Sequence, residues 1–279
     1  MTRDLKQVQD WYQMYLNGME MQEIDKMFTT QCYFHFKKHN LQRLTKSEVS
    51  LRRKGRFKIV NDLSVIQSET DAYTLGFWFS DGWITSKGQA GLKIHKNDFQ
   101  TLKKIKDNIC PELSLMYEKN NALLLVSSKQ FRDNLKSYGI TIDKSYSDFK
   151  LPDLPPHLVR HFIRGYFDGD GTVYYDKKQL RVNICSITLQ ILKDIQQELS
   201  LNNIYSVINT EIREGKTYRV PTGYSNNLKN MHRLFIRKKS DLKLLYEYLY
   251  EDATIYLDRK YNKFLNYINT EVNNQITKG

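Results

Sequence analysis

Two aspartates, Asp81 and Asp170, stand at the same position of two matching segments of the chain. Each ends a run in which a glycine is followed five residues later by Asp and then by Gly. Two carboxylates held side by side repel one another unless a positive charge lies between them. Divalent cations such as Mg²⁺ bind carboxylate, water and phosphate oxygens, and they promote phosphodiester hydrolysis. The two aspartates therefore indicate metal-dependent cleavage of a phosphodiester.

The two segments align on their early glycines, Gly76 and Gly165. Residues 75–82 read Leu-Gly-Phe-Trp-Phe-Ser-Asp-Gly, and residues 164–171 read Arg-Gly-Tyr-Phe-Asp-Gly-Asp-Gly. A glycine in a buried helix has no Cβ, so a second helix can approach it closely. A single Asp-Gly before a strand is more often a hairpin turn. The inference therefore depends on both copies, which together predict two paired helices with their final aspartates side by side.

The elements around these segments repeat as well. From residue 68 the hydrophobic pattern predicts helix, two strands, helix, two strands and helix, and from residue 153 it predicts the same order again. Each half reads αββαββα, so we predict an α+β fold with a pseudo-two-fold duplication. A solenoid is excluded because the repeats of solenoid proteins are shorter than either half of this chain. The expected subdomains are residues 68–152 and 153–279.

The segment before the repeat predicts a small helical domain. Helices are expected at residues 8–16 and 21–28, followed by a third that is capped by Thr29-Thr30 and runs through Lys37-Lys38. Three short helices with a basic third member resemble a helix-turn-helix, in which the recognition helix enters the major groove. A helical domain that only packs on its neighbour is the alternative. We assign residues 1–43 to this domain and residues 44–67 to a basic linker.

The charge of the chain favours a nucleic-acid partner. The net charge is +12 and the pI is about 9.4, and Lys or Arg contacts to phosphates release condensed counterions. Between Lys37 and Lys58 there are nine basic residues, and Glu48 is the only acid. A solvated connector is the alternative for this stretch. The candidate DNA contacts here are Lys37, Lys38, Arg52, Arg53, Lys54 and Arg56.

Several other classes of protein are disfavoured. No run approaches 18 apolar residues, so no membrane span is predicted, and the polar N-terminus shows no secretory signal. Three cysteines without CxxC spacing suit a reducing compartment. We therefore expect an intracellular protein, cytoplasmic or organellar, that is not secreted. His157 and His161 have zinc-like spacing but lack the glutamate of HExxH, so we interpret them as the polar face of a helix.

The paired segments resemble the two motifs of single-chain LAGLIDADG homing endonucleases. Residues 162–171 are a close match, whereas the first segment has Phe79 where the family often has an acid. The resemblance covers about residues 68–270. It implies the homing-endonuclease fold, in which the motif helices form the pseudo-two-fold interface and two antiparallel sheets form a saddle on the DNA. It also implies a monomer that binds double-stranded DNA.

The resemblance further implies the site residues. Asp81 and Asp170 are the essential acids, and they bind Mg²⁺ or Mn²⁺ together with the backbone carbonyls of Ser80 and Gly169. A basic residue late in each half supports the hydrolytic water. Lys144 and Lys260 occupy those two places, with an exposed surface lysine as the equal alternative for each. The candidate DNA contacts on the strands are Lys93, Arg181, Arg213, Arg219 and Arg237.

The implied function is site-specific cleavage of double-stranded DNA that promotes homing of the protein's own genetic element. A non-cleaving DNA-binding regulator and an RNA-splicing maturase are alternatives on the same scaffold. Regulators usually lose the motif acids, and both acids are present here, so cleavage is favoured. The lack of flanking splice-block residues favours a free-standing or intron-encoded protein. The DNA target is not readable from the sequence, because specificity depends on strand side chains whose faces are unknown at this stage.

Overall fold

The structure is a computed structural model that describes residues 4–17, 19–45, 48, 59–86, 88–142, 149–177, 179–220, 223–225 and 229–276. The helices are α1 (Leu5–Leu16), α2 (Met21–Phe28), α3 (Cys32–Lys38), α4 (Glu69–Asp81), α5 (Phe99–Ile109), α6 (Lys129–Ser137), α7 (Pro156–Asp170), α8 (Leu189–Leu201), α9 (Lys239–Tyr250) and α10 (Asp258–Ile276). The strands are β1 (Gly82–Ile84), β2 (Ala90–His95), β3 (Met116–Glu118), β4 (Asn121–Val126), β5 (Gly171–Asp176), β6 (Gln179–Ser186), β7 (Val207–Glu211), β8 (Tyr218–Val220), β9 (Gly223–Ser225) and β10 (Met231–Ile236). None of the helices within these ranges is both long and apolar enough to cross a membrane.

The predicted αββαββα repeat is confirmed. The first half runs α4-β1-β2-α5-β3-β4-α6 and the second runs α7-β5-β6-α8-β7-β10-α9, with the β8–β9 hairpin inserted and α10 added at the end. Each half has a four-stranded sheet, in the orders β1-β2-β4-β3 and β5-β6-β10-β7. The recorded strand pairings are antiparallel. The chain therefore has the duplicated α+β architecture that the sequence predicted.

The two motif helices end in the same way. Gly82 follows α4 with φ −80° and ψ 155°, and Gly171 follows α7 with φ −82° and ψ 155°. A methyl group built on Gly82 would lie 2.1 Å from the ring of Trp78, and one on Gly171 would lie 2.3 Å from the ring of Phe167. The glycine that follows each aspartate is therefore required, because an aromatic ring folds back over it.

The chain groups into two compact units, residues 1–64 with 85–132 and residues 65–84 with 133–279. The second unit contains both motif helices, since α4 and α7 pack against each other along their length. The domain boundaries predicted from the sequence follow the internal repeat, whereas these two units are defined by their compactness. The predicted boundaries stay a prediction.

The three N-terminal helices pack around a small core of their own. This core contains Trp11 of α1, Ile24 of α2 and Phe36 of α3, all almost completely buried. The predicted cap of α3 is wrong. Thr29 instead ends α2 in a left-handed conformation with φ 47°, and α3 begins three residues after Thr29. Its first amide, at Cys32, donates to the carboxylate of Asp25 at 2.6 Å, because the turn brings the start of α3 back to the preceding helix.

Candidate functional site

Gly76 and Gly165 bring α4 and α7 into backbone contact. A methyl group built on Gly76 would lie 2.0 Å from the carbonyl oxygen of Phe162, and one on Gly165 would lie 2.1 Å from the carbonyl oxygen of Tyr73. Both obstacles are backbone atoms and cannot swing aside. The structure thus gives both glycines the role that their spacing predicted.

Asp81 and Asp170 are the last residues of α4 and α7. Asp81 is exposed and Asp170 is half-buried. A methyl group built on Gly169 would lie 1.8 Å from Oγ of Ser80 and 3.0 Å from Oδ2 of Asp81. The end of α7 therefore abuts the end of α4, and the aspartates lie at one seam. Each helix C-terminus also carries partial negative charge, which adds to that of the carboxylates.

This set of donors fits a hard divalent cation. The two carboxylates come from Asp81 and Asp170, and the carbonyl oxygens of Ser80 and Gly169 belong to the same two helix ends. Among the residues that the structure describes, no group of three or more His, Cys, Asp or Glu side chains is arranged to hold a metal ion. A cation held by two aspartates would complete its coordination with water and phosphate oxygens, as Mg²⁺ commonly does.

Lys260 lies next to the last turn of α7, and its side chain is only 3% exposed. Its Nζ donates to the carbonyl oxygens of Phe167 at 2.7 Å and Asp168 at 2.6 Å, and it lies 3.4 Å from that of Gly169. Carbonyls in the last turn of a helix lack partners within the helix. Burial lowers the pKa of Lys260 to about 8, while Asp168 and the two site aspartates oppose that shift. The predicted catalytic lysine is therefore next to the site, with its ammonium capping the helix.

Asp168, the earlier acid of the second segment, is fully buried. Its carboxylate accepts hydrogen bonds from the hydroxyls of Tyr73 and Tyr250, each at 2.9 Å, and from the amide of Leu257 at 2.8 Å. Burial raises the pKa of Asp168, and Lys260 and the three donors lower it. The carboxylate thus joins α7 to α4, α9 and the turn before α10. It helps to fix the start of the helix that carries Lys260.

Within the residues that the structure describes, the first segment has no equivalent of this carboxylate. Phe79 occupies the position that corresponds to Asp168, and it is buried against Phe149 and Phe162, with ring centres 5.5 and 5.1 Å away. At these two equivalent positions, the first helix has apolar packing and the second has a buried carboxylate.

A largely buried ion pair joins the first turn of α4 to the middle of α7. Arg164 of α7 is completely buried and pairs with Glu69 of α4. Arg164 also donates to the carbonyl oxygens of Ile255 and Leu249, each at 2.9 Å. Glu69 accepts further hydrogen bonds from the amide and hydroxyl of Thr254, at 2.7 and 3.0 Å. A buried pair with this many partners holds the two helices in one arrangement.

His161 belongs to the same cluster. Its Nδ1 lies 2.9 Å from Arg164, and the ring is 9% exposed. Burial, together with the charge of Arg164, lowers the pKa of His161 to about 4. The ring is therefore a neutral acceptor for the guanidinium, rather than part of a polar surface as the sequence suggested.

The register of the second sheet separates a buried face from an open face. Val182 and Leu234 are buried, whereas Arg181 lies opposite Tyr174 and Arg233 lies opposite Cys185 on the other face. Arg181 donates to Gln179 at 2.7 Å, and Arg237 lies over the ring of Phe235 at 4.6 Å. The open face of this sheet is therefore basic and aromatic. Arg233 was missed from the sequence because its face depends on the strand register.

Three of the predicted DNA contacts carry carboxylate partners. Lys93 lies 2.9 Å from Glu118, Arg213 lies 2.8 Å from Glu211, and Arg181 lies 3.9 Å from Asp176. Arg233 also reaches Glu211, at 2.9 Å. Hydrogen bonds from the two arginines lower the pKa of Glu211 to about 2. These positive charges are partly neutralised in the protein alone.

The remaining candidates are placed as follows. Lys37 and Lys38 are exposed on α3. Arg219 lies in β8, where side chains are not described. The candidates outside the described residues are Arg52, Arg53, Lys54, Arg56 and Lys144.

Residues 157–250 match the family model described as a LAGLIDADG-like domain. A stretch of 192 residues is 28% identical to DNA-directed RNA polymerase subunit Rpo1C of Methanocaldococcus jannaschii, covering 65% of this chain and 21% of that protein. A stretch of 180 residues is 26% identical to the probable translation initiation factor IF-2 of the same organism, covering 61% of this chain and 14% of that protein. The chain thus spans about a fifth and a seventh of these relatives, so the likeness concerns a segment of each.

Among solved structures, the I-SmaMI LAGLIDADG homing endonuclease bound to cleaved DNA is similar, with a TM-score of 0.48 and 12% sequence identity. The similarity covers 76% of this chain and 91% of that one.

Proposed function

From the LAGLIDADG-like domain that this chain carries within a duplicated αββαββα fold, we propose that it is a site-specific double-strand DNA endonuclease. One observation carries the proposal. The motif helices meet backbone to backbone and end together in Asp81 and Asp170. Two acids at the seam of a basic protein suit the hydrolysis of a phosphodiester better than they suit DNA binding alone, since carboxylates repel phosphates.

The two aspartates would hold Mg²⁺ or Mn²⁺, together with the carbonyl oxygens of Ser80 and Gly169. When bound, such a cation polarises the phosphodiester, lowers the pKa of a water and stabilises the leaving oxygen. The chain's own residues position these ligands. Lys260 donates hydrogen bonds to carbonyl oxygens in the last turn of α7. These bonds stabilise the conformation of the turn that ends in Asp170.

DNA would be held by the open faces of the sheets. Arg181, Arg233 and Arg237 give the second sheet guanidinium groups that suit phosphates and guanine edges. Glu211 pairs with Arg213 and Arg233 in the protein alone, so DNA would have to replace it as their partner. Because one chain contains both acids, we expect a monomer to cut both strands.

A cleavage selection tests the proposal. The protein is incubated with a library of randomised duplex DNA in buffer with Mg²⁺ or with EDTA, and new ends are sequenced. We expect ends at one class of site, on both strands, with Mg²⁺ only. A protein that binds the same duplexes but cuts no member of the library would contradict the endonuclease and support a non-cleaving DNA-binding protein.

A further inference from the structure

The outer side of α3 and the segment after it combine aromatic and basic side chains. Tyr33 and Phe34 are 51% and 61% exposed, and Lys37 and Lys38 are exposed one turn later. With Arg43, these residues form what we call the α3 face. We infer that the α3 face is a second surface for duplex DNA, separate from the seam of the motif helices. The inference rests on the proposed function only for the choice of DNA as the anionic partner.

The exposed aromatic side chains are not part of the hydrophobic core that the three helices share. That core takes Cys32 and Phe36 from α3, which are completely buried, and the ring of Phe36 packs on Tyr12 and Tyr15 at 5.2 and 5.8 Å. Tyr33 and Phe34 do not belong to this core. Large apolar side chains that face water next to lysines are a common feature of binding surfaces.

The segment after α3 is held in place and adds a guanidinium. The hydroxyl of Tyr12 donates to the carbonyl oxygen of Gln42 at 2.6 Å, and the amide of Leu44 donates to the hydroxyl of Tyr15 at 3.1 Å. Arg43, between these anchors, lies 5.3 Å from the ring centre of Tyr33. A guanidinium stacked on an aromatic ring keeps its donors free for phosphate or base edges.

Charge is segregated within the N-terminal helices. Their acids, Asp4, Asp10, Glu20, Glu23 and Asp25, all precede α3, and no acid occurs from Lys26 to Thr45. Asp25 is also engaged as the acceptor for the first amide of α3. In the described part of the chain, neither Lys37 nor Lys38 has an ion-pair partner. An anionic partner on the α3 face would therefore meet positive charge without competition from carboxylates.

The connection of the helices favours duplex DNA among the possible polyanions. α2 and α3 are joined by only three residues, which is the spacing of a helix-turn-helix. A short exposed helix fits the major groove, which is about 12 Å wide. There, lysines bind phosphates and aromatic rings contact thymine methyl groups. Unstacked single strands would instead offer bases to the two rings, and the test separates these cases.

The lysines are tested by the salt dependence of binding. Fluorescence anisotropy measures the affinity of the full chain, in EDTA, for a random-sequence 60-bp duplex between 50 and 300 mM KCl. We expect K37A/K38A to reduce the slope of log K against log salt by about 2, because two phosphate contacts are lost. K193A/K243A is the matched control, since it removes two exposed lysines from α8 and α9. An equal change in both variants would mean that only net charge matters and would overturn the inference.

The aromatic side chains are tested by affinity at fixed salt. We expect Y33A/F34A to weaken duplex binding about tenfold with an unchanged salt slope. The matched control is L201A/I212A, which removes two side chains that are 72% and 61% exposed elsewhere. All four substituted side chains are exposed, so unchanged thermal unfolding should accompany the loss. Unchanged duplex affinity, or a larger loss for a 30-nucleotide single strand than for the duplex, would overturn the inference.

These measurements are independent of cleavage. If the protein cuts no DNA but shows the predicted losses, the α3 face stands and the endonuclease proposal fails. If the protein cuts DNA and both variants bind like their controls, the endonuclease stands and the α3 face fails.

Discussion

The ammonium of Lys260 lies 2.6 Å from the carbonyl oxygen of Asp168, in the last turn of the helix that ends at Asp170. The carboxylate of the same Asp168 accepts the amide of Leu257, at the turn before α10. The backbone and the side chain of Asp168 thus both bind the region that carries Lys260. The end of α7 and the start of α10 stabilise each other, and this pair of contacts determines where Asp170 stands.

Replacing Lys260 by Met should lower both stability and DNA cleavage. The carbonyl oxygens of Phe167 and Asp168 would lose their donor while buried, which costs about 2 kcal/mol of unfolding free energy. Cleavage should fall because Asp170 loses its support. Urea unfolding and a single-turnover cleavage assay measure the two effects. Lys243→Met, on an exposed part of α9, is the control, and a Lys260→Met protein as stable as this control would contradict the capping role.

A methyl group on Gly165 should separate the motif helices. Gly165→Ala would place a Cβ 2.1 Å from the carbonyl oxygen of Tyr73, so the two backbones must move apart. Overpacking of this kind costs about 1–3 kcal/mol of unfolding free energy. Thermal and urea unfolding should show the loss, together with loss of cleavage. His157→Ala, on the exposed side of the same helix, should change neither. Wild-type stability of the Gly165→Ala protein would refute the close contact.

His161 should make the folded protein sensitive to mild acid. Its pKa is lowered to about 4 from the ordinary value of 6.5. Between those values the unfolded chain binds a proton that the folded chain does not, so this contribution to stability is complete above pH 6.5 and is lost as the pH falls toward 4.

The measurement compares the wild type with His161→Gln, whose side-chain oxygen can still accept from Arg164 but does not titrate. Urea unfolding gives the free energy of unfolding of each protein at pH 7.5 and at pH 5. We expect this free energy to fall between the two pH values by about 1–2 kcal/mol more in the wild type than in the variant. Asp168 and the other acids contribute equally to both proteins and cancel. Equal losses would show that His161 is not a buried neutral ring.

The motif helices could be predicted from the sequence because the residues that indicate them lie close together in the chain. Gly76 and Gly165 precede Asp81 and Asp170 by the same five residues, and that spacing alone predicts two helices that meet and end together. The position of Lys260 was predicted from the family pattern, but its burial was not.

The rest depends on contacts between residues that are far apart in the chain. Asp168 receives its hydrogen bonds from Tyr73, Tyr250 and Leu257, each more than 80 residues away. The buried pair of Arg164 with Glu69 spans 95 residues. A single sequence gives no sign of such partners, because a buried acid and a surface acid are written with the same letter.

The central claim is that Asp81 and Asp170 form one metal-dependent centre. The direct test is cleavage of a duplex recovered from the selection, by the wild type and by Asp81→Asn and Asp170→Asn, with duplex affinity measured in parallel. The control is Asp153→Asn, an exposed aspartate outside the seam. We predict that each seam variant loses double-strand cutting at least 100-fold while binding DNA within about threefold of the wild type, since one missing carboxylate weakens the cation site. Double-strand cutting at the wild-type rate by either seam variant would contradict the account.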